Sequence, residues 1–153
     1  MKAVSGLSGR LSQSKYILGY TSDETVMLDF DDMSLKDVQY WAKRAMNWFD
    51  LGGLLILESS QDSYHVVFDR TVTWSENMRV VAWVALLSRK DKLRRWFLMQ
   101  CIKQKSTLRV SCKHELNDVV KDKPRIVYLE GSQDDEIAEY LSFRELILGA
   151  GIF

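Results

Sequence analysis

The chain has 153 residues, a mass of 17.8 kDa and a formal net charge of zero, with 46% hydrophobic and 27% charged residues. A chain of this length can bury ~70% of its unfolded surface, so residues 1–153 are expected to form a single domain without a metal or disulfide staple. No apolar run approaches the ~18 residues that span a bilayer, and the N-terminus lacks the apolar stretch of a secretory signal. We therefore expect a cytoplasmic protein with no membrane partner.

The predicted elements alternate between strands and helices. Short runs rich in β-branched and aromatic residues are separated by turns or by stretches with helical periodicity. In chain order, the predictions are strands at 15–20 and 24–30, a helix from the N-cap Ser34 to Gly52, strands at 54–59 and 63–69, a helix from Ser75, another after a break at 88–91, strands at 107–112 and 125–130, and a helix from Asp134.

The order of elements from residue 24 to residue 113 predicts the fold class. It reads strand, helix, strand, strand, helix, strand, with the second helical connection doubled. This βαββαβ order is typical of the split βαβ fold, an α+β class that is also described as ferredoxin-like or RRM-like. We expect the sheet order 4-1-3-2 with the helices on one face, plus a short extra strand before the core and a C-terminal helix after it.

Four tryptophans fall at helical spacing within the predicted helices. They are Trp41, Trp48, Trp83 and Trp96. This periodicity favours core packing over the stacking of nucleic-acid bases.

Alternation along the strands predicts that several polar side chains share the face away from the helices. Leu28 and Phe30 belong against the helices, so Asp29 and Asp31 lie on the opposite face. Two carboxylates at this spacing repel each other, and Mg²⁺ or Mn²⁺ would relieve that repulsion. Beside them, a nucleotide-binding set is predicted to contact a triphosphate: Ser63, His65, Arg109 and Lys113.

Two short motifs carry a family resemblance. LDFDD at residues 28–32 precedes SYH at residues 63–65, which follows a strand and a turn. These motifs resemble the first two motifs of the archaeo-eukaryotic primase superfamily, a strand-end hhDxD and an SxH. The element order over residues 24–113 is similar to the catalytic core of the primase-polymerases of archaeal plasmids and viruses.

The resemblance implies a primase-polymerase-type nucleotidyltransferase in DNA replication. Asp29, Asp31 and His65 would be its catalytic residues. The two aspartates would hold Mg²⁺ or Mn²⁺, and the histidine would contact the phosphates of a nucleoside triphosphate. A replication helicase or another replication protein is the protein partner that this function implies.

The third motif of the family departs from the pattern. The family places another acid on the later strand, where this chain has Ser111, and neither Glu115 nor Glu58 is a convincing substitute. The sequence therefore leaves open whether the domain is an enzyme. The alternative is a non-catalytic ferredoxin-like protein that binds nucleic acid or assists replication.

Each motif also has a local explanation. Asp31 or Asp32 could favour the N-terminus of the helix that follows, and His65 could be a structural strand residue. A third alternative is a protein-interaction module that uses the apolar residues of the C-terminal helix. Those residues are Ile137, Tyr140, Leu141 and Leu146.

The middle of the chain is strongly basic despite the zero net charge. Residues 1–88 carry 8 basic and 11 acidic groups, residues 89–125 carry 12 and 4, and residues 126–153 carry 1 and 6. The middle segment has a net charge of +8, which predicts contact with the phosphates of a DNA or RNA template. A solvated helix face is the alternative. The predicted contacts are Arg89, Lys90, Lys92, Arg94 and Arg95.

Overall fold

A computed structural model of the protein describes residues 4–5, 17–115 and 118–150. These residues form an α+β fold consistent with a ferredoxin-like split βαβ core, and none of their helices is both long and apolar enough to cross a membrane. The elements are β1 (Val4–Ser5), β2 (Gly19–Ser22), β3 (Thr25–Asp31), α1 (Leu35–Trp48), β4 (Gly53–Ser60), β5 (Ser63–Thr71), α2 (Trp74–Ser88), α3 (Asp91–Lys103), β6 (Ser106–Arg109), β7 (Lys113–Glu115), β8 (Asp118–Lys121), β9 (Arg125–Gly131) and α4 (Glu136–Gly149). The strand predicted at 15–20 begins outside the described residues, and β2 continues it.

The central sheet is antiparallel and has the order β3-β5-β4-β9. Its first three strands keep the 1-3-2 part of the predicted order, and β9 extends the sheet beside β4. The predicted fourth core strand departs from the expectation, because β6 contacts β3 but forms its hydrogen-bonded ladder with β2.

The strand predicted at 107–112 ends at Arg109 because the chain then wraps around Leu18. The amides of Val110 and Ser111 both donate to the carbonyl of Leu18, at 2.8 and 3.3 Å. The Leu18 amide in turn donates to Ser111 Oγ at 2.9 Å. The residue just before β2 thereby provides hydrogen-bond partners for the backbone just after β6.

The core helices α1, α2 and α3 cover one face of the central sheet as predicted, and the additional C-terminal helix α4 covers part of the other face. Leu28, Ile56 and Val66 pack against α1, α2 and α3. Their strand neighbours Met27 and Val67 pack on the other side with residues of α4, β2 and β6. The latter group includes Ile137 and Tyr140, so these two side chains are part of the core and are not free to bind a partner.

The helix starts follow side-chain caps. Ser34 caps α1 as predicted, since its hydroxyl accepts a hydrogen bond from the Asp37 amide at 3.2 Å. The start of α2 was predicted at Ser75, but the cap is Thr73, which accepts from the Glu76 amide at 3.2 Å. Thr73 stands three positions before Glu76, as Ser34 stands three positions before Asp37, whereas Ser75 is directly beside Glu76. The spacing of the capping box therefore favours Thr73.

One of the four tryptophans contradicts the prediction of core packing. Trp41, Trp83 and Trp96 are partly buried against the core, whereas Trp48 is 73% exposed. Trp48 lies on the last turn of α1, beside the row of buried residues formed by Val38, Ala42 and Ala45. Helical spacing placed it near the apolar face but could not show that the core ends before it.

Candidate functional site

The acid pair and the histidine lie on the same face of the central sheet. In the β3–β5 ladder, Asp29 is directly opposite His65 and Asp31 is directly opposite Ser63. Asp29 Oδ1 lies 3.7 Å from His65 Nε2, and Ser63 Oγ donates a hydrogen bond to Asp31 Oδ1 at 2.7 Å. Strand alternation thus brings together the four residues of the two sequence motifs, as the pattern predicts.

Burial separates the roles that these side chains can play. The Asp29 side chain is 28% exposed, whereas the His65 side chain is only 5% exposed. His65 Nδ1 is also buried and has no hydrogen-bond partner among the described residues. A ligand can therefore reach the carboxylates more readily than the imidazole.

The two side chains prefer their uncharged forms. Desolvation by burial, reinforced by the nearby Asp31 carboxylate, raises the pKa of Asp29 to about 7. Desolvation, with the positive charges of Arg109 and Lys121, lowers the pKa of His65 to about 3. At neutral pH His65 is consequently neutral, and Asp29 is close to its midpoint of ionisation.

Arg109 and Lys121 supply positive charge on one side of the acid pair. Both favour the ionised form of Asp29. Arg109 is held rigidly, since its guanidinium donates to the carbonyls of Ser59 and Asp122 at 2.8 Å each and also to the carbonyl of Ser111. Desolvation lowers the pKa of Arg109 from its usual high value. The sequence pattern predicted Arg109, but not Lys121.

Lys121 was not predicted because it lies on β8, a strand that the sequence pattern does not indicate. The strands β7 and β8 pair with each other in a small separate sheet, in which Lys113 is opposite Lys121. The segment between residues 113 and 121 is polar and irregular in sequence, so no periodic signal marks it.

A second group of cations lies on the other side of the acid pair. A depression of about 280 Å³ is lined by residues from the end of β3 and the start of α3, and Lys92 Nζ forms an ion pair there with Asp32 Oδ2 at 2.8 Å. The hydrogen bond from Lys92 lowers the pKa of Asp32, so Asp32 is engaged in this ion pair. The lining residues are Asp31, Asp32, Lys90, Asp91, Lys92 and Arg95.

The partners of Asp31 and Asp32 argue against a purely local role for the acids. Asp31 accepts from Ser63 on β5, and Asp32 binds Lys92 on α3. The N-terminus of α1 is capped by Ser34 instead. The acidic end of β3 therefore connects to other elements, and not to the helix that follows it.

The remaining predicted site residues are dispersed. Lys113 is paired with Glu115, with Nζ 3.7 Å from Oε1. Arg89 is an exposed residue with left-handed backbone at the end of α2, and Arg94 donates to the carbonyls of Ala85 and Leu86 at 3.2 and 3.3 Å. Of the predicted template contacts, only Lys90, Lys92 and Arg95 line the depression beside the acids.

The site offers two carboxylates to a cation. Among the described residues, no group of three or more His, Cys, Asp or Glu is arranged to hold a metal ion. Mg²⁺ nevertheless binds through one or two carboxylates and completes its shell with water and substrate phosphates. The mutual repulsion that helps raise the pKa of Asp29 is the kind that a divalent cation relieves, so Asp29 and Asp31 fit this smaller role.

Comparisons with protein-family models, with curated proteins and with solved structures found no match for this chain. The functional argument therefore depends on the chemistry of the site. An acid pair on one strand, a neutral buried imidazole and cations on two sides can bind a metal-bound polyphosphate and the phosphate backbone of a nucleic acid.

Proposed function

We propose that this domain binds a nucleoside triphosphate together with Mg²⁺ or Mn²⁺ and acts in DNA replication as a primase-polymerase-type nucleotidyltransferase. The observation that supports this function best is the position of the acid pair opposite the hairpin motif. Asp29 Oδ1 is 3.7 Å from His65 Nε2 on the face that also carries Asp31 and Ser63. This is the arrangement that the resemblance to primases implies.

The residues of the site have different roles in this proposal. Asp29 and Asp31 would hold the cation, which would supply positive charge against the negative charge that develops during nucleotidyl transfer. Arg109 and Lys121 attract the triphosphate. Because His65 is neutral and buried, it borders the site beside Asp29 in this proposal, whereas the resemblance assigns it a direct contact with phosphate.

The raised pKa of Asp29 makes metal binding measurable apart from activity. A nearby cation favours the carboxylate, so binding should release part of a proton at pH 7. Calorimetric titration with Mn²⁺ in two buffers of different ionisation enthalpy measures that release. The proposal predicts proton release in the wild type and none in Asp29→Asn.

The activity itself is tested by nucleotide incorporation on primed and unprimed templates with Mg²⁺ or Mn²⁺. The wild type should extend a strand, and the variant carrying both Asp29→Asn and Asp31→Asn should not. Asp50→Asn is the matched control, because Asp50 is exposed and has left-handed backbone that asparagine also tolerates. No incorporation by the wild type, or equal incorporation by the double variant, would remove the enzymatic proposal.

A non-catalytic nucleic-acid-binding function is the second candidate. It is favoured by Ser111, which stands where the third acid is expected and is buried against the Leu18 amide. This function predicts salt-sensitive binding to nucleic acid that survives the loss of Asp29 and Asp31. Such binding, with no incorporation under any metal condition, would select this candidate over the enzyme.

A further inference from the structure

An exposed aromatic surface lies on α1 and α2, on the opposite side of the central sheet from the acid pair. Trp48 is 73% exposed and Tyr40 is 51% exposed. The Trp48 ring stacks on Trp83 with centroids 6.2 Å apart and planes inclined by 13°. One side of the Trp48 indole is thus supported by α2, while most of its area faces solvent. The aromatic surface consists of Tyr40, Trp41, Arg44, Trp48 and Trp83.

A cation lies among these rings. The Arg44 guanidinium carbon is 5.3 Å from the centre of the Tyr40 ring, 5.6 Å from that of Trp41 and 5.9 Å from that of Trp83. Arg44 also donates a hydrogen bond to the Tyr40 hydroxyl at 2.5 Å. Spacing of four residues places Tyr40, Arg44 and Trp48 on one stripe of α1.

Exposed cations extend the aromatic surface on both helices. Lys36 lies one turn before Tyr40, and Arg79 lies one turn before Trp83. No acidic partner within 4 Å is recorded for Lys36, Arg44 or Arg79 in the described part of the chain. The surface thus combines the solvent-exposed parts of the Trp48 and Tyr40 rings with positive charges that have no acidic partner within 4 Å among the described residues.

We propose that the aromatic surface binds single-stranded nucleic acid, with bases stacked on Trp48 and Tyr40 and backbone phosphates bound by Arg44 and its neighbouring cations. Stacking on aromatic side chains within a positive groove is how proteins bind single strands without sequence preference. An apolar protein partner would bury the three cations without counter-charges, which is costly. A duplex would not expose its base faces to Trp48.

The inference deepens the proposed function and rests on the domain acting on nucleic acid. The acid pair and the aromatic surface lie on opposite faces of the sheet, so the two can be tested separately. In this arrangement the aromatic surface holds a stretch of single strand at a distance from the acids, and does not take part in nucleotide transfer.

Fluorescence anisotropy of a short labelled oligothymidylate tests the binding. Trp48→Ala should weaken binding at least about fivefold, the lower limit for the loss of one stacked base, and Trp48→Phe should restore most of it. Leu146→Ala is the matched control, because Leu146 on α4 is also 73% exposed. Arg44→Gln should weaken binding and reduce the dependence of log affinity on log salt concentration by about 1.

Three results would overturn the inference. Equal binding by the wild type and Trp48→Ala is one, and equal sensitivity of duplex binding to Trp48→Ala is another. The third is light scattering that shows a dimer of the wild type and a monomer of Trp48→Ala, since the surface would then be an interface between copies of the chain.

The two proposals fail in distinguishable ways. If no nucleotide is incorporated but oligothymidylate binding depends on Trp48, the enzymatic proposal fails and the inference stands. If incorporation depends on Asp29 and Asp31 but Trp48→Ala binds the strand normally, the inference fails and the enzymatic proposal stands.

Discussion

Asp29 and His65 face each other across the β3–β5 ladder, and the burial of each side chain leaves both of them uncharged just below neutral pH. Asp29 Oδ1 and His65 Nε2 are 3.7 Å apart. Burial raises the pKa of Asp29 to about 7 and lowers the pKa of His65 to about 3. Between these values the folded pair carries one proton, on the carboxyl group.

This pair makes a pH-dependent contribution to stability that nearly cancels in the wild type. In the unfolded chain the pair also carries one proton between about pH 4 and 6.5, on the imidazole. Folding therefore moves the proton from one residue to the other without net uptake or release. Over that range the pair adds little slope to the free energy of unfolding.

Single substitutions should expose the two opposing contributions. In Asp29→Asn, only His65 remains, and its lowered pKa stabilises the fold above about pH 6.5, a contribution lost as the pH falls toward 3. In His65→Gln, only Asp29 remains, and its raised pKa stabilises the fold below about pH 4, a contribution lost as the pH rises toward 7. Each pKa moves by about three, so the changes should be on the order of 4 kcal/mol each across the full pH range.

Urea denaturation at a series of pH values measures these slopes. Asp29→Asn should gain stability with rising pH, His65→Gln should lose it, and the wild type should change least. Parallel curves for the three proteins would show that the pair is not coupled to folding in this way. Asp50→Asn again serves as the control, because Asp50 is exposed.

The sequence could predict this pairing because it follows from local alternation. Asp29 and Asp31 differ from Leu28 and Phe30 in polarity, and Ser63 and His65 are set two apart in the next hairpin strand. The position of β6 could not be predicted in the same way. It depends on Leu18, which bonds Val110 and Ser111 from about 90 residues away, and no periodic pattern records such a contact.

The solvent exposure of individual helix residues could not be predicted from the sequence either. Helical spacing assigned Trp48 to the core, because spacing gives the direction of a side chain but not the extent of the elements that cover it. The basic segment shows the same limit. Arg94 and Arg95 are adjacent cations, yet Arg94 turns back to the end of α2 while Arg95 lines the depression beside the acids.

Gly53 should be among the residues least tolerant of substitution. It begins β4, and a Cβ built there would lie 1.8 Å from the Ser132 carbonyl oxygen. Gly53→Ala should destabilise the protein by about 3 kcal/mol or prevent folding, because the backbone at Gly53 or at Ser132, just after β9, must move. In Gly149→Ala the new Cβ meets nothing within 4 Å, and the change should be neutral or slightly stabilising in α4. Equal midpoints of denaturation for the two variants would contradict this.

Asp69 should anchor α4 to the sheet. Its buried Oδ1 accepts hydrogen bonds from the Asp135 and Ile137 amides, at 3.0 and 3.1 Å. Asp69→Ala should cost about 2 kcal/mol, because two amides at the helix start lose their acceptor. Asp69→Asn keeps an acceptor oxygen and should cost less. Ser34→Ala, which removes the exposed cap of α1, should cost about 1 kcal/mol in the same denaturation experiment. If Asp69→Ala proves milder than Ser34→Ala, the anchoring role is wrong.

Arg94 and Arg95 should separate stability from nucleic-acid binding. Arg94 donates to the carbonyls of Ala85 and Leu86, so Arg94→Gln should mainly lower stability, by about 1 kcal/mol. Arg95 is exposed in the depression that Asp31 lines, so Arg95→Gln should leave stability unchanged and weaken template binding. If Arg95 contacts one phosphate, the slope of log affinity against log salt concentration should fall by about 1.

Denaturation and salt-dependent anisotropy on both variants check the contrast. A binding loss in Arg94→Gln that matches the loss in Arg95→Gln, with unchanged stability in both, would show that the whole basic segment contacts nucleic acid as one surface.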